Sequence, residues 1–238
     1  MKKIHRFVNG FPLLGNRAVL TDPELVHQIY RVLKLRPGEN MILSDGKGND
    51  SLVEILSLDD ASCYVKVTGR ENTAAGSRVL LYCAMLKKKN FEWAAEKGVE
   101  SGAAEIFPLI TERTVKTGIK LDRLQNIIRE AAEQSGNAFV AKAHEMKELP
   151  AALAESSGNA INWFFDPSGE DFLTAIQNRR ETEDAKNKMI GVWIGPEGGW
   201  TDEELAAGKA AGCRIVSLGR LILRAETAAA VAVYLAAR

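Results

Sequence analysis

From residue 79 onward the chain alternates continuous apolar runs with segments of helical periodicity, and this alternation leaves few folds open. Val79-Leu80-Leu81-Tyr82-Cys83-Ala84 is apolar throughout, as a strand covered on both faces requires. Ile106-Phe107-Pro108-Leu109-Ile110, Ile161-Asn162-Trp163-Phe164-Phe165, Met189-Ile190-Gly191-Val192-Trp193-Ile194 and Arg214-Ile215-Val216-Ser217-Leu218 read as further strands, each followed by a helical segment. Helices are expected around residues 91–101 and over residues 121–134, where Leu121, Leu124, Ile127, Ile128 and Ala131 share one face. Such a pattern predicts a mostly parallel sheet with helices on both sides.

The first 70 or so residues have a different texture. Met41-Ile42-Leu43 and Leu52-Val53-Glu54-Ile55-Leu56 flank a Gly/Asp/Asn cluster over residues 44–50, a hairpin with a longer loop. Tyr64-Val65-Lys66-Val67-Thr68 alternates as a half-buried strand. Leu25, Ile29, Val32 and Leu33 are spaced for a helix, with Pro23 suited to its first turn. A small β-rich module with one helix is expected here, and residues 69–77, with little to bury, read as the linker.

At 46% hydrophobic and 26% charged, the 238 residues can bury a substantial core. No apolar run approaches the ~18–20 residues of a membrane helix, and no secretory signal follows the opening lysines. Cys63, Cys83 and Cys213 are too few and too dispersed for a disulfide framework, and read as small buried hydrophobes in a reducing cytoplasm. His5, His27 and His144 lack metal-ligand spacing, so no metal is expected. Net charge is zero, but residues 1–36 carry seven Lys/Arg against Asp22 and Glu24. This positive end fits either a solvated surface or a face for a polyanion.

Phosphate-loop, GxGxxG and GxSxG signatures are absent. The densest constellation is Ile194-Gly195-Pro196-Glu197-Gly198-Gly199-Trp200-Thr201, which leaves a strand and enters a helix that Thr201 and Glu204 begin as a capping box. Three glycines in five positions suit a tight structural turn or close approach to a ligand, and strand ends of parallel sheets are where ligands bind. One unit later, Leu218-Gly219-Arg220-Leu221-Ile222-Leu223-Arg224-Ala225-Glu226 repeats the arrangement ahead of an alanine-rich helix. Two such loops can wall one pocket, and the alanine face suits intrachain packing or a subunit interface equally.

These residues resemble the knotted SPOUT methyltransferases, most closely the bacterial 16S ribosomal RNA uridine-N3 methyltransferase family. The resemblance rests on Gly195-Pro196-Glu197-Gly198-Gly199, Leu218-Gly219 and Ile222-Leu223-Arg224-Ala225-Glu226-Thr227-Ala228, and extends over nearly the whole chain. His5-Arg6-Phe7, residues 27–33, Ser44-Asp45-Gly46, the positions Lys88, Lys97, Glu100, Gly102 and Arg113, and Glu133-Gln134-Ser135-Gly136 match further blocks in order. The chain departs at Glu100-Ser101-Gly102-Ala103, at Phe139-Val140-Ala141, and at Leu221, where the family usually has arginine.

The resemblance implies an α/β protein with a PUA-like β-barrel for RNA over residues 1–70. A SPOUT methyltransferase domain with a trefoil knot would follow over residues 71–238, although periodicity alone indicates an ordinary parallel sheet. It further implies a cytoplasmic homodimer acting on 16S rRNA in the 30S subunit with S-adenosyl-L-methionine. Ile194, Gly195, Pro196, Glu197, Gly198, Gly199, Leu218, Gly219 and Leu223 would hold that cofactor. Arg224 would stabilise the uracil anion with Arg6 as a second cation, and Glu226 would orient Arg224 or accept a proton. Arg6, Arg31, Lys88, Lys89 and Arg113 would meet RNA. A knotted enzyme for a ribose 2′-hydroxyl or for transfer RNA, and a non-catalytic RNA-binding assembly factor, are the alternatives.

Overall fold

The structure is a computed structural model that describes residues 4–8, 10, 13–114, 118–180 and 188–238, with backbone alone at residues 88, 179 and 180. It comprises two compact units: Met1–Ala75 with Ala132–Val140, and Gly76–Ala131 with Ala141–Arg238.

The first unit contains β1 (His5–Val8), β2 (Arg17–Leu20), α1 (Pro23–His27), β3 (Asn40–Ser44), β4 (Asn49–Leu58) and β5 (Cys63–Asn72). The strands form one five-stranded sheet in the order β1-β3-β4-β5-β2, in which only β1 and β3 run parallel. Alternate residues of β3, β4 and β5 (Met41, Leu43, Val53, Ile55, Cys63 and Val65) turn to one buried face with Phe7, Leu20 and Ile29. Among the described residues no pairing joins β1 to β2, so the sheet is not closed. Asp22 caps α1 by accepting the Leu25 N–H at 2.8 Å, with Pro23 in the first turn. The chain continues as a π-helical turn over Gln28–Val32.

The expected hairpin is β3–β4. Its loop is organised by Asp45, whose carboxylate accepts the N–H groups of Lys47 and Asn49 and the Asn49 side-chain amide. Burial raises the Asp45 pKa, but these hydrogen bonds outweigh it and hold the carboxyl below its usual value. Gly46, at φ +72°, lies where a Cβ would come within 2.9 Å of Val140, a residue of the returning segment 132–140. That segment bonds through Gly48 N–H to Ala138 O and Val140 N–H to Gly46 O, while Glu133 accepts the N–H of Val8. Residues 69–72, read from sequence as linker, instead extend β5, because Arg70, Glu71 and Asn72 pair with Ser51, Asp50 and Asn49.

The second unit contains β6 (Arg78–Ala84), α2 (Lys88–Glu100), β7 (Ala103–Ile110), α3 (Leu121–Ser135) up to Ala131, β8 (Lys142–Ala143), β9 (Lys147–Glu148), α4 (Leu149–Glu155), β10 (Ile161–Asp171), α5 (Phe172–Arg180), β11 (Met189–Ile194), α6 (Asp202–Ala210), β12 (Arg214–Ser217) and α7 (Ala225–Ala236). All strand pairs are parallel, in the order β12-β10-β11-β6-β7-β8, with β9 also on β7. The fold is thus mixed α/β with two sheets.

Phe107, Tyr82, Trp193 and Phe164 are register partners on four neighbouring strands. Their rings stack across the sheet at centroid spacings of 4.5, 3.9 and 5.9 Å, close to the ~4.8 Å between strands. His144 extends the column at one end and Trp200 at the other, 3.9 Å from Phe107 and 4.2 Å from Phe164. The column therefore ends beneath the loop that follows β11.

Candidate functional site

A cavity of about 720 Å³ opens beyond the carboxyl ends of β6, β11, β10 and β12, four strands adjacent in the sheet. It is lined by Lys87 and Asn90 after β6, Phe165, Asp166 and Pro167 of β10, residues 194–197, 199 and 200 after β11, and residues 217–226 and 228 around the start of α7. Both strand-end loops singled out by the sequence therefore wall one space.

The loop after β11 is held from below. Trp200 is 5% exposed and its indole N–H donates to Phe165 O at 3.0 Å. Gly195 packs on the Trp200 ring so closely that a Cβ would lie 2.9 Å from it. Gly199 takes φ +71°, which a residue with a side chain resists. Thr201 and Glu204 form the expected capping box: Thr201 Oγ1 accepts the Glu204 N–H and Glu204 accepts the Thr201 N–H. The loop after β12 is exposed by contrast, with Leu221 at 80% and Ile222 at 89%.

Arg224 and Glu226 share the cavity in different settings. Arg224 is 84% exposed, whereas Glu226 is 5% exposed and its Oε2 has no hydrogen-bond partner among the described residues. Arg224 Nη1 lies 4.0 Å from Glu226 Oε1, at the limit of an ion pair. A buried carboxylate oxygen without a donor is costly, and it marks the cavity as a place for a hydrogen-bond donor or cation from a ligand. Beside it, burial with added repulsion from Glu197 and Glu226 pushes the Cys83 thiol up to about 12. Burial likewise raises Cys63 to about 11 and Cys213 to about 12, so all three buried cysteines stay protonated and inert at neutral pH.

Of the nine residues expected at the cofactor, Ile194, Gly195, Pro196, Glu197, Gly199, Leu218, Gly219 and Leu223 line the cavity. Gly198 does not; it packs against Arg113 and gives its carbonyl to that side chain. Arg6 belongs to the first unit, where it pairs with Asp50 at 2.6 Å, both largely buried. Arg31 pairs with Asp60 and lies over the Tyr30 ring. Lys89 is exposed at the start of α2, while the Lys88 side chain, Lys2 and Lys3 lie outside the described residues. Sequence reasoning did not single out Phe165, Asp166, Pro167 or Asn90. The signal was available, since the polar Asp-Pro pair directly follows the apolar run of β10, where its pairing with β11 stops. Among the described residues no group of side chains could hold a metal ion, and no helix is long and apolar enough to cross a membrane.

Residues 74–237 match the family model of an RNA methyltransferase domain. Over 228 residues the chain is 32% identical to ribosomal RNA small subunit methyltransferase E of Synechocystis sp., spanning 90% of this chain and 70% of that protein. The chain belongs to the ribosomal RNA small subunit methyltransferase E family. The methyltransferase E of Bacillus subtilis is 27% identical over 86% of this chain and 84% of its own length. The solved methyltransferase E of Neisseria gonorrhoeae, bound to S-adenosyl methionine, superposes with a TM-score of 0.84 at 27% identity, over 97% of this chain and 95% of that one. A Legionella pneumophila structure in complex with the same cofactor gives a TM-score of 0.82 at 25% identity, over 100% and 98% of the two chains. This member of the methyltransferase E family thus presents a strand-end cavity in a fold that two of its relatives share while holding that cofactor.

Proposed function

We propose that the chain methylates N3 of a specific uridine of 16S ribosomal RNA within the small ribosomal subunit, with S-adenosylmethionine as donor. The observation that carries the reading is the buried Oε2 of Glu226, unpartnered among the described residues, at a cavity between two glycine-bearing loops. The residues fit the cofactor: about 720 Å³ lies within the usual ~300–1,000 Å³ of small-molecule sites, and glycine backbone allows close approach. The cofactor supplies, when bound, a methyl group activated on a sulfonium. Residues 194–199 with Leu218, Gly219 and Leu223 would hold its adenosyl and methionine parts, Gly198 by shaping the loop.

The acceptor nitrogen carries an imide proton and gains a usable lone pair only as that proton leaves. Arg224, exposed at the rim, suits the uracil oxygens, where its charge favours the anion. Glu226 suits the N3–H, because its free Oε2 is the acceptor that an imide donor needs. Arg6 is a second candidate cation, although its ion pair with Asp50 would have to open. Alignment of the anion with the methyl can contribute ~7–11 kcal/mol by positioning. N3 lies on the pairing edge, so the uridine is received unpaired or flipped out.

The same reading takes the five-stranded unit as a PUA-like barrel for RNA, the strand-end loops of the second unit as threaded in a trefoil knot, and the working form as a cytoplasmic homodimer. Arg31, Lys88 and Lys89 are its candidate RNA contacts, whereas Arg113, also expected at RNA from the sequence, is given a different role below. The resemblance and the relatives' names support these points. The test is incubation with small subunits lacking the modification and labelled S-adenosylmethionine, followed by nucleoside analysis. Label in 3-methyluridine is the expected result; label in a 2′-O-methylnucleoside, activity only on transfer RNA, or no cofactor binding would overturn the assignment.

A further inference from the structure

We propose that Arg113 is a positioning residue: with Glu204 it fixes the loop after β11 in the shape that receives the cofactor, and it makes no contact with RNA. The proposal rests on the methyltransferase reading of the cavity. Arg113 Nη1 donates to Gly198 O at 2.6 Å and to Trp200 O at 3.2 Å. In a trans peptide the carbonyl and the N–H point in opposite directions, so each of these peptides has a second end to satisfy. The Gly199 N–H bonds Pro196 O at 2.9 Å, and the Thr201 N–H bonds Glu204 Oε2 at 2.9 Å. Two peptides of the loop are thereby held at both ends.

Glu204 is 9% exposed, and its other oxygen accepts the N–H of Glu112 at 2.9 Å. Consecutive residues 112 and 113, in the turn that follows β7, therefore hold the glycine loop at two points. That turn is itself closed by the Thr111 N–H on Thr114 Oγ1 and the Thr114 N–H on Thr111 O, at 3.0 and 3.1 Å. The arginine stem also packs where Gly198 has no side chain, since a Cβ there would meet Arg113 Cδ at 3.2 Å. Hydrogen bonds from a charged donor are stronger than neutral ones, and a loop fixed beforehand loses less entropy on binding. The positive charge that the sequence suggested for RNA is thus directed at loop carbonyls.

The test is calorimetric titration of S-adenosylhomocysteine into the full chain without RNA, comparing Arg113→Ala and Arg113→Lys with the unaltered protein. Arg113→Ala should weaken binding at least tenfold, Arg113→Lys less, and low-millimolar guanidinium should restore part of the loss in Arg113→Ala. Binding of the cofactor-free protein to small ribosomal subunits should change less than twofold. Unchanged S-adenosylhomocysteine affinity in Arg113→Ala, or a loss confined to subunit binding, would overturn the proposal. Should Arg113→Ala fail to fold, Arg113→Lys decides by the same criterion. Absence of binding by the unaltered chain would remove the methyltransferase reading itself, and this proposal with it.

Discussion

The two loops that wall the cavity are alike in position, each leaving a strand and entering a helix, and opposite in construction. Residues 195–200 rest on buried Trp200 and are tied to Arg113, whereas residues 219–224 carry Leu221, Ile222 and Arg224 almost fully exposed. Both follow parallel strands and precede helices, so the local chain direction does not explain the contrast. What differs is the anchor: the first loop carries Trp200 into the end of the aromatic column, and residues 219–224 include no aromatic side chain to do the same. One wall is tied in place by hydrogen bonds and the other keeps its cation exposed at the rim, in keeping with the proposed cofactor seat and substrate contact.

The largest expected effect falls on the open wall. Arg224→Ala should lower methyl transfer by roughly a hundredfold to a thousandfold, the scale for losing one stabiliser of developing charge, with S-adenosylhomocysteine affinity retained. Undiminished turnover would remove Arg224 from the chemistry and break the division of labour between the walls. On the braced wall the effect should appear as stability: Trp200→Ala should cost about 3–5 kcal/mol in urea unfolding, because it empties a buried ring site. Gly195→Ala should cost about 1–3 kcal/mol by forcing a Cβ against that ring, and should weaken S-adenosylhomocysteine binding alongside. The smallest effect returns to the open wall, where Leu221→Ala and Ile222→Ala should each shift stability by no more than about 0.5 kcal/mol. A stability loss from either of these comparable to that of Trp200→Ala would mean that the second loop is braced too.

Much of this was legible beforehand, and the legible part is local. Apolar runs marked β6, β7, β11 and β12 to within a few residues, helical spacing marked α2 and α3, and the Thr201–Glu204 pair marked the start of α6. The strands β1 and β2 went unmarked: each spans four residues and carries Arg6 or Arg17 within it, leaving too short a pattern to register. Phe165, Asp166 and Pro167 went unmarked as cavity residues because their strand lies far from the glycine loops in sequence and beside them only in the sheet.

The sequence by itself determined the main strands and helices of the second unit, where the backbone can turn or approach a ligand, and that two glycine-bearing loops end strands. Periodicity and capping depend on residues within a few positions of one another, so spacing reveals them. The tertiary structure alone decided that β10 lies between β11 and β12, that residues 132–140 return to the first unit, and that Arg113 faces the carbonyls of Gly198 and Trp200. Strand order and side-chain partners follow from pairing and packing across many tens of residues, and a free energy summed over so many distant contacts leaves no mark at any single position.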